Sequence, residues 1–305
     1  MTRIADLLAA GPTYSFEFFP PKTDVEQATL VRTLRELEPL GPSFVSVTYR
    51  GGAESRARTF DLVTGMLKTT TLTPMAHLIC AAHTRLELAD ILVDYRKAGV
   101  ENLMALGGDP PADAADASDT RGELRHAVEL VALARAIGGF SIGVAAQPLG
   151  HPLSTDLAAD RDHLAEKLDQ ADFAATQFFF EVGDYVGLVE DLAARGVRKP
   201  VLPGIMPITT LRSIPAMAAM GAAVPAWMVA RLHRAGDAGG PDAVRREGVA
   251  MATELCSQLL DVGVPGLHFY TLNRSSATKE IYQALGLGAG LAGAAERPGL
   301  RGPTR

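Results

Sequence analysis

The fold this sequence predicts is α/β, a (β/α)8 TIM barrel in which eight parallel strands alternate with helices. Three observations predict it. Eight short apolar runs, rich in aromatic and β-branched residues, recur at near-regular spacing along the 305 residues. Patterns of helical period lie between them, so the strands run parallel. Polar and titratable residues gather at the C-terminal ends of the runs, where a barrel of this type carries its active site. An open doubly wound sheet is the competing arrangement, but eight units close most simply into a barrel.

The first run, 14–19, reads Tyr-Ser-Phe-Glu-Phe-Phe and stops at Pro20-Pro21. Side chains alternate along a strand, so Ser15, Glu17 and Phe19 share one face and Phe16 and Phe18 the other. An ionised carboxylate is costly on so apolar a strand, so the pKa of Glu17 is expected to rise toward the range of a general acid. An ion-paired core glutamate is the alternative. A helix over 24–37 follows, opened by a Thr23-Asp24 cap signal. The second run is 43–49, followed by a charged helix over 54–68. The third is 75–80, followed by a helix over 84–98 with a Thr84-Arg-Leu-Glu87 capping box and a Gly99 stop.

The fourth run, 102–106, leads into Gly107-Gly-Asp-Pro-Pro111 and a polar loop to about 120, with a helix expected from 123 to 137. The fifth and sixth runs, 140–146 and 173–180, precede helices over 155–170 and 184–195. The seventh run is 201–206, and two or three helical pieces separate it from the eighth, 267–272. A last helix covers 276–284. The domain reading is one barrel over 1–288 and a flexible Gly/Arg/Pro-rich tail over 289–305. The glycine cluster Gly286-Leu-Gly-Ala-Gly290 follows a helix instead of joining a strand to one, and so fails as a dinucleotide fingerprint.

Composition narrows the function. With 47% hydrophobic residues the chain is globular, and a net charge of −6 with scattered Lys and Arg argues against a nucleic-acid or anionic-membrane surface. The N-terminal apolar run is short and broken by Asp6, and no stretch reaches the length of a membrane span, so a cytoplasmic protein is expected. Cys80 and Cys256 have no metal-site spacing, no paired-histidine motif occurs, and both thiols read as core residues. No metal is expected. No exposed apolar stripe marks a subunit interface, which leaves monomer and homo-oligomer both open.

Applied to each strand end, the barrel rule collects Glu17, Thr48, Tyr49, His77, Asp109, Gln147, His151, Gln177, Tyr270 and Arg274. Each has a plainer reading. His77 suits a hydrogen-bonded core histidine, Asp109 before Pro110 suits a turn, and Arg274 suits a helix-end ion pair. Gln177 on a buried strand needs partners for its amide, which a ligand can supply. Convergence on one rim favours a site.

Together these segments resemble the methylenetetrahydrofolate reductase family. The matching pieces include Ser15-Phe-Glu-Phe-Phe-Pro-Pro-Lys22, Phe44-Val-Ser-Val-Thr-Tyr49, His77-Leu-Ile-Cys80 and Ala105-Leu-Gly-Gly-Asp109. Thr176-Gln-Phe-Phe-Phe180, Pro203-Gly-Ile-Met-Pro207, Pro225-Ala-Trp-Met228 and His268-Phe-Tyr-Thr-Leu-Asn-Arg274 continue it in family order over about 13–285. The resemblance implies a TIM barrel that reduces 5,10-methylenetetrahydrofolate to 5-methyltetrahydrofolate with hydride from NADH or NADPH, ordinarily relayed by FAD. It makes Glu17 the acid that protonates N10, Asp109 and Gln177 the pterin contacts, and Tyr270 and Arg274 the lining of the folate and nicotinamide side. Thr48, His77, His151, Asp160 and Lys167 match cofactor-binding positions.

The departures fall on the flavin. Gly107 stands where the family has a phosphate-binding arginine, and Gln147-Pro-Leu149 where it has Tyr-Pro-Glu. His163 replaces an asparagine, Glu166 an arginine and His126 a tyrosine, while Leu211 replaces a substrate-stacking phenylalanine. Lost charge-assisted bonds to a diphosphate imply that FAD is bound weakly or not at all, with hydride passing directly from nicotinamide to folate. A folate-binding homologue without reductase activity, regulatory or storage, is the rival reading, and another pterin-handling barrel enzyme is a third.

Overall fold

The computed structural model describes residues 2–49, 53–108 and 122–287. Asp109, the polar loop after it and the 289–305 tail lie outside the described residues. The strands are β1 (Thr13–Phe18), β2 (Phe44–Val47), β3 (Pro74–Ile79), β4 (Asn102–Leu106), β5 (Ser141–Ala146), β6 (Phe173–Phe178), β7 (Val201–Ile205) and β8 (Gly266–Tyr270). Each pairs in parallel with its sequence neighbour, and β8 pairs with β1 to close the barrel. The (β/α)8 expectation holds, with every strand bound within two residues of the sequence reading.

Around the barrel run α2 (Asp24–Leu37), α3 (Ala53–Thr69), α4 (Arg85–Lys97), α5 (Ala127–Ile137), α6 (Leu157–Gln170), α7 (Val182–Ala194), α8 (Ser213–Ala219), α9 (Ala226–Asp261) and α10 (Ser276–Ala284). The caps read from sequence are in place. Thr23 Oγ1 accepts from the Glu26 N–H, and Thr84 and Glu87 exchange both bonds of a capping box. α9 breaks at Gly239 and Gly240, just before Pro241, and with α8 supplies the three helical pieces expected ahead of β8. α5 starts four residues later than the expected 123. The Glu129 carboxylate takes the Arg125 and His126 N–H groups and fixes the first turn there.

The alternation along β1 decides what is core and what is site. Phe16 and Phe18 point outward into the sheet–helix layer, where Phe16 packs on Tyr282 of α10 and Phe269 of β8 at ring separations of 5.2 and 6.1 Å. Inside the barrel, Phe44, Met75, Met104, Phe173 and Leu202 fill the lower half. Phe173 fits because β5 offers Gly143 there; a Cβ on Gly143 would sit 2.6 Å from its ring. Cys80 and Cys256 are buried free thiols, as expected.

The sequence reading has no element before β1, yet α1 (Ile4–Ala10) lies across the bottom of the barrel. Seven residues with no capping side chain carry little helical signal, and tertiary contacts make the helix instead. Ile4 is wholly buried in one cluster with Phe44 and Met75, and its N–H donates to Asn102 Oδ1 at 2.8 Å. The Ala5 N–H donates to Ser141 Oγ at 3.0 Å. Only Ile4, Leu7 and Leu8 at helical spacing could have announced it. Among the described residues, no helix is long and apolar enough to cross a membrane.

Candidate active site

Barrel closure brings Glu17 to the centre of the upper interior. Its register partners are Ser46 on β2 and Tyr270 on β8. Glu17 Oε2 accepts from Ser46 Oγ at 3.3 Å and faces His268 Nε2 at 3.5 Å and His77 Nε2 at 3.4 Å. All four side chains are buried. Burial pushes the Glu17 pKa up, as the strand alone implied, but the His268 hydrogen bond, the charges of His77 and His268 and the Ser46 hydroxyl outweigh it. The net shift is downward, so the expected rise is corrected. The apolar strand foretold the burial and could not foretell two histidines from β3 and β8.

Other predicted residues ring this cluster. Thr48 follows β2 directly, with its Oγ1 buried and without a hydrogen-bond partner, and His77 Nε2 likewise makes no aligned hydrogen bond. Buried polar atoms left this way suit a ligand that brings its own partners. Tyr270 donates its hydroxyl to the Thr176 carbonyl at 2.7 Å, and burial with the nearby Glu17 charge raises its pKa well above the ordinary phenol value. It reaches that carbonyl because position 204 is glycine; a Cβ there would lie 2.2 Å from the Thr176 carbonyl oxygen and 2.7 Å from the Tyr270 ring. Gln177 sits near the top of β6, half-buried, its side-chain oxygen turned back to the Phe178 N–H. Arg274 is exposed on the rim.

Besides Ser46 and His268, Thr271 and Asn273 hold the site and were missed. Thr271 Oγ1 donates to the Glu17 carbonyl at 2.6 Å. Asn273 pairs with the Phe19 backbone twice, accepting from its N–H and donating to its C=O, both at 2.8 Å. Asn273 has φ +56°, a left-handed conformation that asparagine tolerates, and that preference was the available signal. Asn273→Ala loses both bonds and the tolerance, so about 2–3 kcal/mol of stability should be lost, read by urea unfolding. An unchanged urea midpoint would contradict this role for Asn273.

His151, Asp160 and Lys167 form a separate network beyond β5. Asp160 Oδ1 accepts from the His151 N–H at 3.0 Å and from Ser154 Oγ at 3.4 Å, and its other oxygen pairs with Arg161 at 2.9 Å. Lys167 donates to the Ala145 carbonyl at 2.8 Å, and burial lowers its pKa against the pull of Asp160. Arg161, passed over in the sequence, is almost wholly buried at 2% exposure. It also binds Asp191 and the carbonyls of Gln147 and Pro148, and so clamps the segment after β5. His163 and Glu166 are exposed on α6.

Gly107 has open space beside it, a Cβ there meeting nothing nearer than 4.0 Å, so no steric bar keeps an arginine out. At Gly108 φ is +80° and a Cβ would press on Ile79 at 2.8 Å. Two cavities, of about 410 and 460 Å³, lie between α7 and α9 and between α2 and α3. Neither is lined by Glu17, His77 or His268, and the polar chemistry concentrates in the barrel interior instead.

The 5,10-methylenetetrahydrofolate reductase of Escherichia coli (strain K12) is 35% identical over 281 residues, covering 91% of this chain and 92% of that one. The enzyme of the same name from Pectobacterium carotovorum subsp. carotovorum is 34% identical over 275 residues and 90% of both chains. A solved structure of an uncharacterized Clostridium thermocellum protein, which binds two copies of 5-methyl-5,6,7,8-tetrahydrofolic acid, aligns with a TM-score of 0.62. It covers 92% of this chain and 96% of its own at 12% identity, a likeness of fold alone. With the family model for methylenetetrahydrofolate reductase matching residues 2–286, the chain belongs to the methylenetetrahydrofolate reductase family.

Proposed function

We propose that this protein reduces 5,10-methylenetetrahydrofolate to 5-methyltetrahydrofolate with hydride from NADH or NADPH. The observation that carries the reading is Glu17, a buried carboxylate inside the barrel mouth of a chain of this family, ringed by His77, His268 and Ser46. Its carboxyl protonates N10, the C–N bond of the five-membered ring opens, and the methylene carbon becomes an iminium that accepts hydride. Asp109 and Gln177 hold the pterin, while Tyr270 and Arg274 border it on the nicotinamide side. The buried walls keep water from the iminium, which would otherwise be hydrolysed.

The residues present do not fit a tightly held FAD. Asp160 is already engaged by Arg161, Ser154 and the His151 N–H, and Lys167 by the Ala145 carbonyl. Gly107 adds no charge, and Glu166 adds one of the wrong sign for a diphosphate. Thr48 Oγ1, buried without a hydrogen-bond partner, and His77 Nε2, which faces Glu17, lie beside the proposed acid and not in the Asp160–Lys167 network. Hydride therefore passes directly from the nicotinamide to the folate carbon.

The test is turnover of 4-deuterated NADH or NADPH by protein whose visible spectrum has been recorded. A spectrum without a flavin band and one deuterium retained in the product methyl group are expected. Stoichiometric flavin, or loss of the label to water as from a reduced flavin, would overturn direct transfer. Folate binding without turnover would overturn the reductase reading.

A further inference from the structure

The cleft of about 410 Å³ between α7 and α9 has the size of a small-molecule site, for which roughly 300–1,000 Å³ is usual. Its walls are apolar. Phe180 comes from the β6–α7 turn, Met206 from the segment after β7, Met228 from the first half of α9, and Met251 and Leu255 from the second half. Methionine side chains reshape around a guest at little cost. At Gly248 a Cβ would lie 1.7 Å from the Ile208 carbonyl oxygen, so α9 meets the segment after β7 backbone to backbone and adds no side chain there.

Two groups give this apolar cleft a sign. Trp227, the chain's single tryptophan, lines it and is 49% exposed. Its Nε1–H donates to Glu181 Oε1 at 3.1 Å, a bond in the plane of the ring that orients the indole and covers neither face. Glu181 stands at the N-cap of α7, yet its carboxylate makes no capping bond and turns to the indole instead. Among the described residues no Lys or Arg pairs with it. Glu254, the other acid on the lining, is by contrast held by both terminal nitrogens of Arg231, at 2.9 and 3.0 Å. The uncompensated charge is felt nearby: burial first, and then the Glu181 charge, raises the pKa of Asp184 in the first turn of α7.

An indole face beside an unpaired carboxylate attracts a cation, and the apolar walls below them accept a hydrocarbon body. We infer that this cleft is a binding site for a small organic cation, an ammonium or guanidinium group on an apolar body. The charge lies between Glu181 and Trp227 and the body among Met206, Met228 and Met251. The same carboxylate repels phosphate and carboxylate ligands, so the guest is neither folate nor a dinucleotide. The site stands apart from the reductase reading, because Glu181 and Trp227 lie outside the cluster around Glu17.

Because Trp227 is the only indole, its emission reports occupancy of the cleft in the full chain. Phenethylammonium, phenethyl alcohol and phenylpropanoate present one aromatic body with a positive, neutral or negative end. The expected result is a saturable change in emission in which the ammonium binds about tenfold more tightly than the alcohol, with the carboxylate weakest. Glu181→Gln keeps an acceptor for the Trp227 N–H and changes an exposed side chain, so the fold is retained. In that variant the preference for the ammonium should fall to about threefold or less, the share left to the indole face. Equal affinities for ammonium and alcohol in the wild type would make the cleft an unselective apolar gap and overturn the proposal. A preference undiminished in Glu181→Gln would place the cation elsewhere and overturn it as well. So would emission that shifts with protein concentration before any probe is added, because a second copy of the chain would then cover Trp227.

Discussion

Glu17→Gln is expected to lower kcat by about 10²–10⁴-fold while folate affinity stays within a few-fold, the loss characteristic of removing a positioned proton donor. Glutamine keeps the shape and one acceptor for Ser46, so the barrel should fold. The split between turnover and binding matters more than the size of the loss. A residue that only bound the pterin would show its effect in KM, whereas a donor acts when the C–N bond opens. Steady-state assay with equilibrium titration of folate separates the two. Wild-type turnover in the glutamine variant would remove Glu17 from the chemistry.

The largest effect on stability should come from Arg161→Met. The substitution keeps an unbranched apolar stem but removes a guanidinium that satisfies Asp160, Asp191 and two backbone carbonyls. Asp160 is buried and would lose its charged partner, a change that costs about 3–5 kcal/mol. Asp191 is half exposed and recovers in water, so the cost lies with Asp160 and the orphaned carbonyls. The paired change Arg161→Met with Asp160→Leu removes both buried charges and should recover part of the loss. Urea unfolding of the single and double variants checks both statements. Equal midpoints for wild type and Arg161→Met would show that the clamp contributes nothing.

Legibility divided along physical lines. The strands were readable because a parallel barrel strand is apolar on both faces, and β-branched and aromatic runs between Gly and Pro mark it strongly. Glu17 and His77 stood out because polar residues are rare in such runs. His268 was quoted within a motif yet not singled out, because its partners, Ser15 and Glu17, lie about 250 residues away in sequence and adjacency across the seam is invisible to local pattern. The direction of the Glu17 shift was misread for that reason: burial is written in the strand, neighbours are not. Arg161 was passed over because an arginine beside an aspartate on a helix reads as surface charge. Here the Gln147 and Pro148 carbonyls bend back over α6 and bury it.

The plug at the foot of the barrel makes the order of assembly a matter of chain length. α1 leaves the ribosome well before the groups that hold it, Asn102 Oδ1 and Ser141 Oγ, which are 98 and 136 residues further on. Alone, a seven-residue helix is unstable in water. α1 must therefore wait for its partners until the chain through β4 and β5 has been made. Protection of the Ile4 and Ala5 amides from hydrogen exchange would consequently time the docking of β4 and β5, turning α1 into a clock for the middle of the barrel.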